Sequence, residues 1–190
     1  TEKGTQQDVD TRMTKIFEVG CESVIRCIER CLQVAPVNVL WVPGNHDPET
    51  SWYMAKFVEA WYRNVPEVRV NKDPTFRKYV GYGTNLLGFT HGNEEPHRDL
   101  PTIMATEQPE LWAKASTKAW RIGHFHKKAE TRYLAGDTFN GVSVQVIPSL
   151  SGTDAWHYRK GYVKGNRAAE AALWSYDNGY TGHFSVNVRV

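Results

Sequence analysis

Three short apolar segments of this chain each end in a polar loop that carries histidine. The loops are 44–47 (Gly-Asn-His-Asp), 90–92 (Thr-His-Gly) and 123–126 (Gly-His-Phe-His). Short apolar runs rich in β-branched residues and bounded by Pro or Gly predict buried strands, as at 37–42. In open α/β sheets, ligand sites collect beyond the carboxyl ends of the strands. The pattern therefore predicts an α/β fold in which three loops converge.

The intervening segments complete this α/β pattern. Apolar residues at helical spacing predict amphipathic helices over 8–34 and 50–63, and a further helix over 107–119. Because no internal repeat and no linker are evident, we expect a single domain over residues 1–190. The other predicted strands lie near 68–70, 76–80, 84–90, 120–122, 129–134, 141–147, 171–176 and 183–190.

The composition is that of an ordinary globular protein. The chain has 190 residues, 41% hydrophobic and 23% charged, with a formal net charge of +2. No apolar run approaches the ~20 residues that a membrane span needs, so we expect no membrane partner. The near-neutral charge argues neither for nor against a polyanionic partner, and basic residues between Lys127 and Arg167 favour a solvated face.

The three cysteines all fall within the first predicted helix. Cys27 and Cys31 lie on its apolar stripe, whereas Cys21 does not. Their odd number and their spacing fit neither a zinc ribbon nor a redox pair. We therefore interpret Cys27 and Cys31 as core thiols, and free buried thiols favour a reducing compartment, hence a cytoplasmic location.

The side chains of the three loops suit a metal ion. Imidazole is a ligand for Zn and Fe, and amide or carboxylate oxygens suit Mn and Mg. Each loop has a simpler interpretation by itself: Asn-His as turn chemistry, His91 as a satisfied polar residue, and His-x-His as an incidental pair. Their shared placement at predicted strand ends favours a common site.

These three loops resemble the third, fourth and fifth motifs of the calcineurin-like metallophosphoesterases, over roughly residues 37–150. The resemblance implies two packed mixed β-sheets flanked by helices. It also implies two divalent metal ions (Mn, Fe or Zn, with Mn favoured) at the strand ends. Two such ions clamp the phosphoryl oxygens and acidify a bridging water.

The resemblance also implies a role for each residue of the loops. Asn45, His91 and His124 resemble the ligands of one metal ion, and His126 resembles a ligand of the other. His46 resembles the histidine that stabilises the transition state or protonates the leaving oxygen. Asp47 would orient His46.

The earlier motifs of that family are not evident. Its Asp-x-His and Gly-Asp motifs precede Gly-Asn-His-Asp, and residues 1–43 contain neither. Either the chain is the later part of a longer protein, or it is a degenerate, non-catalytic relative. The intact later motifs and a start without Met favour the first alternative. We then expect the first strands to be missing, with an exposed apolar sheet edge that an upstream segment or a second chain covers.

The segment 148–162 bears on the substrate. Together with residues 1–15, it is similar to phage and bacterial phosphoesterases that are described as DNA-repair exonucleases. Its aromatic residues can stack on bases, and Arg159 and Lys160 can pair with phosphates, with His157 as a further contact. Alternatively, the aromatic residues pack beneath the site and the basic residues face solvent.

Three functions remain open from the sequence. The first is a metal-dependent phosphodiesterase or nuclease acting on nucleic acid or nucleotides, with the present chain alone weakly active or inactive. The second is a non-catalytic pseudo-phosphoesterase that binds nucleic acid or a partner. The third is a phosphomonoesterase acting on a small metabolite.

Overall fold

The computed structural model describes residues 11–124, 137–139, 141–150 and 167–188. They group into two compact units, Thr1–Phe76 and Arg77–Val190. Helices alternate with strands along the chain, and the strands form several sheets, which confirms the predicted α/β class. The single domain and the two packed sheets stay predictions. Within the described ranges, no helix combines the length and apolar character needed to cross a membrane.

The first unit joins two helices to a parallel pair of strands. Its elements are α1 (Met13–Leu32), β1 (Val37–Leu40), α2 (Pro48–Trp61) and β2 (Val68–Asn71). The two strands run parallel, with Val37 opposite Val68. Ile25 and Ile28 of α1 pack with Val58 of α2 in the core of this unit. The buried Tyr62 hydroxyl donates to the Ile25 carbonyl oxygen over 3.3 Å, which fixes α2 against α1.

The prediction that Cys27 and Cys31 are core thiols is wrong. Both residues are exposed, whereas Cys21 is buried at 4% relative accessibility. The buried face of α1 runs through Cys21, Ile25 and Ile28. Two apolar stripes of similar spacing share this helix, and the contacts with α2 decide which of them is buried.

Strand β1 is less enclosed than predicted. The sequence predicts a buried strand over 37–42, yet Val37, Val39 and Leu40 are only half-buried. Within the described part of the chain, β1 pairs with β2 alone. Parallel strands are usually covered on both faces, so this short sheet is unusually open.

The second unit is built on a five-stranded mixed sheet with the order β3-β4-β5-β7-β6. Strands β4, β5 and β7 run parallel, and β3 and β6 are antiparallel to their neighbours. A short 3-10 helix and helices α3 (Leu100–Glu107) and α4 (Pro109–Lys114) connect β4 to β5. The strands are β3 (Lys78–Tyr82), β4 (Asn85–Thr90), β5 (Thr117–Ile122), β6 (Asp137–Phe139) and β7 (Val142–Val146).

The core of this unit lies between the sheet and α3. Trp120 is fully buried there among Leu86, Leu100 and Met104. Its indole N–H donates to the Leu100 carbonyl oxygen over 3.1 Å. A buried tryptophan needs such an acceptor for its one donor, so this bond fixes the start of α3 against the middle of β5.

The helix predicted over 107–119 is wrong in part. Gln108 has an extended φ of −130° and separates α3 from α4, and residues from Thr117 onward belong to β5. Pro101 and Pro109 each stand in a first helical turn, the position that proline favours. The region therefore contains two short helices, each with proline in its first turn, instead of one long helix. Helix α3 was not predicted.

The two predicted closing strands are present with shifted boundaries, and they pair as a hairpin. Strands β8 (Ala168–Ser175) and β9 (Gly179–Asn187) are antiparallel, with a bulge between Leu173 and Trp174. The hairpin turn is fastened to the start of β4, because Thr84 N–H donates to the Tyr176 carbonyl oxygen over 2.9 Å. The Asn85 side-chain amide donates to the Ser175 carbonyl oxygen over 2.8 Å. The predicted strand at 129–134 lies outside the described residues.

Candidate metal centre

His91 and His124 follow neighbouring parallel strands and lie side by side. Thr90 is opposite Ile122 in the parallel register of β4 and β5, so the two strands end together. The backbone N–H of Gly123 donates to the His91 carbonyl oxygen over 3.1 Å. His91 Nε2 lies 3.2 Å from His124 Nδ1. The structure thus brings two of the predicted ligands together, each half-buried.

Unusual backbone conformations accompany this pair. Gly92 is buried with a φ of +91°, and a β-carbon built on it would stand 3.3 Å from the Ile122 Cβ. His124 has a φ of +64° and is the one non-glycine residue with a positive φ in the described ranges. Glycine adopts a positive φ readily, whereas in a non-glycine residue such as His124 it costs about 1–3 kcal/mol, and such residues concentrate at functional sites. The turn at His124 directs its ring toward His91 instead of letting the strand continue.

The spacing of the two rings suits a shared cation. The rings meet edge to face, with centroids 5.1 Å apart. A separation of 3.2 Å would allow both nitrogens to bind the same divalent cation, for which each would need to lie about 2.1 Å from it. Without a cation, one ring would have to donate a hydrogen to the other, which depends on their tautomers.

The loop of Asn45, His46 and Asp47 follows β1 in the first unit. Asn45 and His46 are half-buried, and the preceding Pro43 is buried. The Trp41 indole N–H donates to Ser51 Oγ over 3.0 Å, and Ser51 Oγ donates to the Asp47 carbonyl oxygen over 2.7 Å. This chain of bonds joins the end of β1 to the first turn of α2, so both ends of the loop are fixed.

Asp47 has a perturbed carboxyl group. The residue as a whole is exposed, yet desolvation by the surrounding protein raises the pKa of its carboxyl above the ordinary value. The nearby charge of His46 and the backbone N–H of Asp47 oppose that rise. Asp47 is the N-cap residue of α2, but its side chain makes no capping bond. The carboxylate therefore lies within electrostatic range of its neighbour His46.

Several predicted residues lie outside the described residues, namely His126, His157, Arg159 and Lys160. Among the residues that are described, no group of three or more His, Cys, Asp or Glu side chains is close enough to hold a metal ion. Of the predicted ligands, His91 and His124 are the pair that the described residues bring within hydrogen-bond distance.

A charged cluster beside His91 was not predicted. We call Arg77, Tyr79, Glu95 and Glu107 the Arg77 cluster. Arg77 Nε donates to both carboxylate oxygens of Glu107 over 2.9 and 3.0 Å, and Arg77 Nη1 donates to Glu95 Oε1 over 2.6 Å. The Tyr79 hydroxyl donates to Glu107 Oε2 over 2.6 Å. One guanidinium thus bridges two carboxylates from different parts of the chain.

The Arg77 cluster is partly enclosed, which strengthens its bonds. The Glu95 side chain is only 9% exposed, against 31% for Arg77 and 34% for Glu107. Bonding to Arg77 lowers the pKa of Glu107, desolvation opposes this, and the bond from Tyr79 lowers it further. Bonding to Glu107 raises the pKa of Arg77 above its ordinary value, desolvation opposes this rise, and bonding to Glu95 adds to it. No local sequence signal marks this cluster, because its members are far apart in the chain.

Comparisons with known proteins found no matching family model, no similar curated protein and no similar solved structure.

Proposed function

We propose that this chain belongs to a metal-dependent phosphoesterase that hydrolyses phosphodiesters in nucleic acid or nucleotides through a two-metal site. The observation that carries the proposal is the approach of His91 Nε2 to His124 Nδ1 over 3.2 Å at the ends of two parallel strands. That geometry suits ligands of one cation. The fold proposed with it is the metallophosphoesterase sandwich of two packed sheets.

Four residues would hold the metal ions. Asn45, His91 and His124 would bind one ion, and His126 would bind the other, with Mn favoured over Fe and Zn. Bound divalent ions would supply positive charge to the phosphoryl oxygens and would acidify a water molecule. The amide oxygen of Asn45 is a neutral ligand suited to Mn, which complements the imidazoles.

His46 and Asp47 would act on the leaving group. A ring N–H of His46 would donate to the leaving oxygen as negative charge develops there. The carboxylate of Asp47 would fix the orientation of that ring. The influence of His46 on the pKa of the Asp47 carboxyl supports this pairing.

The substrate class rests on the segment 148–162. His157, Arg159 and Lys160 would contact phosphates, and the neighbouring aromatic residues would stack on bases. A phosphomonoester of a small metabolite is the alternative substrate, and it would require a more closed pocket.

The open parallel pair of β1 and β2 supports the expectation that further strands complete this sheet. Half-buried Val37, Val39 and Leu40 leave apolar area uncovered within the described residues. An upstream segment or a second chain would cover it, and an upstream segment would supply the Asp-x-His and Gly-Asp motifs that residues 1–43 lack.

Hydrolysis with added Mn²⁺ tests the proposal. A bis-aryl phosphodiester, a phosphomonoester and single-stranded DNA are each offered to the 190-residue chain and to the longest product of its gene. We expect the longer product to hydrolyse the diester and DNA, and the 190-residue chain to be weakly active or inactive. His46→Ala in the longer product should lower kcat by about 10²–10⁴-fold.

The matched control is His183→Ala, which removes an exposed histidine of β9 outside the proposed site. It should leave kcat unchanged. If the longer product hydrolyses none of the three substrates with Mn²⁺, the catalytic proposal is wrong and the non-catalytic binding module is favoured. If only the monoester is hydrolysed, the small-metabolite alternative replaces the nuclease.

A further inference from the structure

The Arg77 cluster adjoins the strand end from which His91 emerges. In the antiparallel register of β3 and β4, Lys78 is opposite Phe89, which places Arg77 beside Thr90. His91 therefore follows a strand end that has β5 and His124 on one side and Arg77 on the other. The cluster is thus a neighbour of the candidate metal centre, although no member of it is a predicted ligand.

Glu95 connects the cluster to the His91 loop. It lies four residues after His91 in the chain, its side chain is 9% exposed, and it bonds Arg77 over 2.6 Å. The segment that contains His91 is thereby fixed at both ends, by the pairing of Thr90 with Ile122 and by the bond of Glu95 to Arg77. A segment this short between two fixed points has little conformational freedom.

Glu107 fixes the guanidinium in turn. Two bonds from Arg77 Nε, together with the Tyr79 hydroxyl, hold the Glu107 carboxylate at the end of α3. A planar guanidinium can bridge two carboxylates in one arrangement, which an ammonium group cannot reproduce. Arg77 thereby links the loop that contains His91 and Glu95 to α3 and β3.

We propose that Arg77 is a positioning residue for His91, because its bond to Glu95 fixes the loop that holds the His91 imidazole against His124. The part of this inference that concerns metal binding rests on the proposed function. Loss of Arg77 would release Glu95 and allow His91 to move away from His124. Displacement of a ligand by about 1 Å is sufficient to impair a site.

The test compares Arg77→Met and Arg77→Lys with Arg98→Met in the 190-residue chain. Arg98 is the matched control because it lies near the same loop, is 79% exposed, and forms an ion pair with its neighbour Asp99 over 3.6 Å. The first readout is hydrogen exchange of the Gly123 amide in metal-free protein, since that N–H donates to the His91 carbonyl oxygen. The second is Co²⁺ affinity, followed by visible absorption.

We expect Arg77→Met to make the Gly123 amide exchange several-fold faster and to weaken Co²⁺ binding about tenfold. Arg77→Lys should give an intermediate result, and Arg98→Met should change neither readout. A positional effect should also alter the Co²⁺ absorption spectrum, because the ligand geometry changes. If Arg77→Met lowers only the thermal midpoint and leaves exchange, affinity and spectrum unaltered, Arg77 stabilises the fold and does not position His91.

Two further outcomes can be distinguished from each other. If Arg77→Met does not fold, Glu95→Gln takes its place, because it keeps the side-chain shape and weakens only the bond to the loop; the same direction of change is expected. If the longer product of the gene binds no Co²⁺ through His91 and His124, the proposed function loses its support, while Gly123 exchange in the metal-free variants still decides the role of Arg77.

Discussion

Gly92 lies so close to Ile122 that a β-carbon on it would stand 3.3 Å from the Ile122 Cβ. The contact is tight, and Gly92 also has a φ of +91°. Both constraints act at the residue that follows His91. The turn that ends β4 thus admits no side chain without adjustment of β5.

Gly92→Ala should lower the free energy of unfolding by about 1–3 kcal/mol, because alanine is strained at positive φ. Displacement of Ile122 should add to that cost. Gly141→Ala is the matched control, since Gly141 has a φ of +78° but no atom within 4 Å of the place that an added β-carbon would occupy. Urea denaturation measures both. Equal losses in the two variants would mean that the contact with Ile122 is unimportant.

Trp120→Phe should destabilise the second unit by about 1–3 kcal/mol, because the Leu100 carbonyl would lose a buried donor. Trp112→Phe is the comparison, since Trp112 is only half-buried and Lys118 Nζ lies over its ring, 4.8 Å from the centroid. The Trp112→Phe substitution should lower the free energy of unfolding by less than about 1 kcal/mol. Thermal unfolding followed by circular dichroism measures the two losses, and an equal loss would contradict the importance of the indole bond.

Acid should weaken the second unit through Glu107. Its folded-state pKa is below the ordinary value, chiefly because of Arg77. A lowered carboxyl pKa stabilises the fold above the unfolded-state pKa, and this contribution is lost as pH falls through the folded-state pKa. The free energy of unfolding should therefore begin to decrease below about pH 5 and should continue to decrease until the pH has passed through the lowered folded-state pKa of Glu107. Glu107→Gln should reduce that slope, and an unchanged slope would contradict the assignment.

Thiol labelling should distinguish the three cysteines. Cys27 and Cys31 are exposed, whereas Cys21 is buried and desolvation raises the pKa of its thiol. Because the thiolate is the reactive form, a disulfide reagent near neutral pH should label Cys27 and Cys31 quickly and Cys21 only on unfolding. Cys21→Ser should leave the fast phase intact, and loss of that phase would contradict the observed orientation of α1.

The elements predicted best from sequence are those whose signal is local. Strand β4, the end of β5 and helices α1 and α2 have clear apolar patterns, and the glycines beside His91 and His124 mark their turns. From these, the approach of two loops was predictable, because parallel strands in adjacent register end at one edge of a sheet.

The elements predicted poorly depend on contacts between distant residues. Which stripe of α1 is buried depends on Val58 and Tyr62, and the end of the predicted helix at 119 depends on the pairing of β5 with β4. The bonds of Arg77 to Glu95 and Glu107 join residues 18 and 30 positions apart. No periodicity within a single segment encodes such contacts.

The fastening of the β8–β9 turn to Thr84 and Asn85 has a consequence for how this protein can be altered. It secures the amino-terminal end of β4, while His91 and His124 follow the carboxyl-terminal ends of β4 and β5. The anchorage of the hairpin and the two histidines therefore lie at opposite ends of the same strands. We expect loop grafts at the histidine end to leave the turn that holds the hairpin undisturbed, so this end can be diversified without loss of that anchorage.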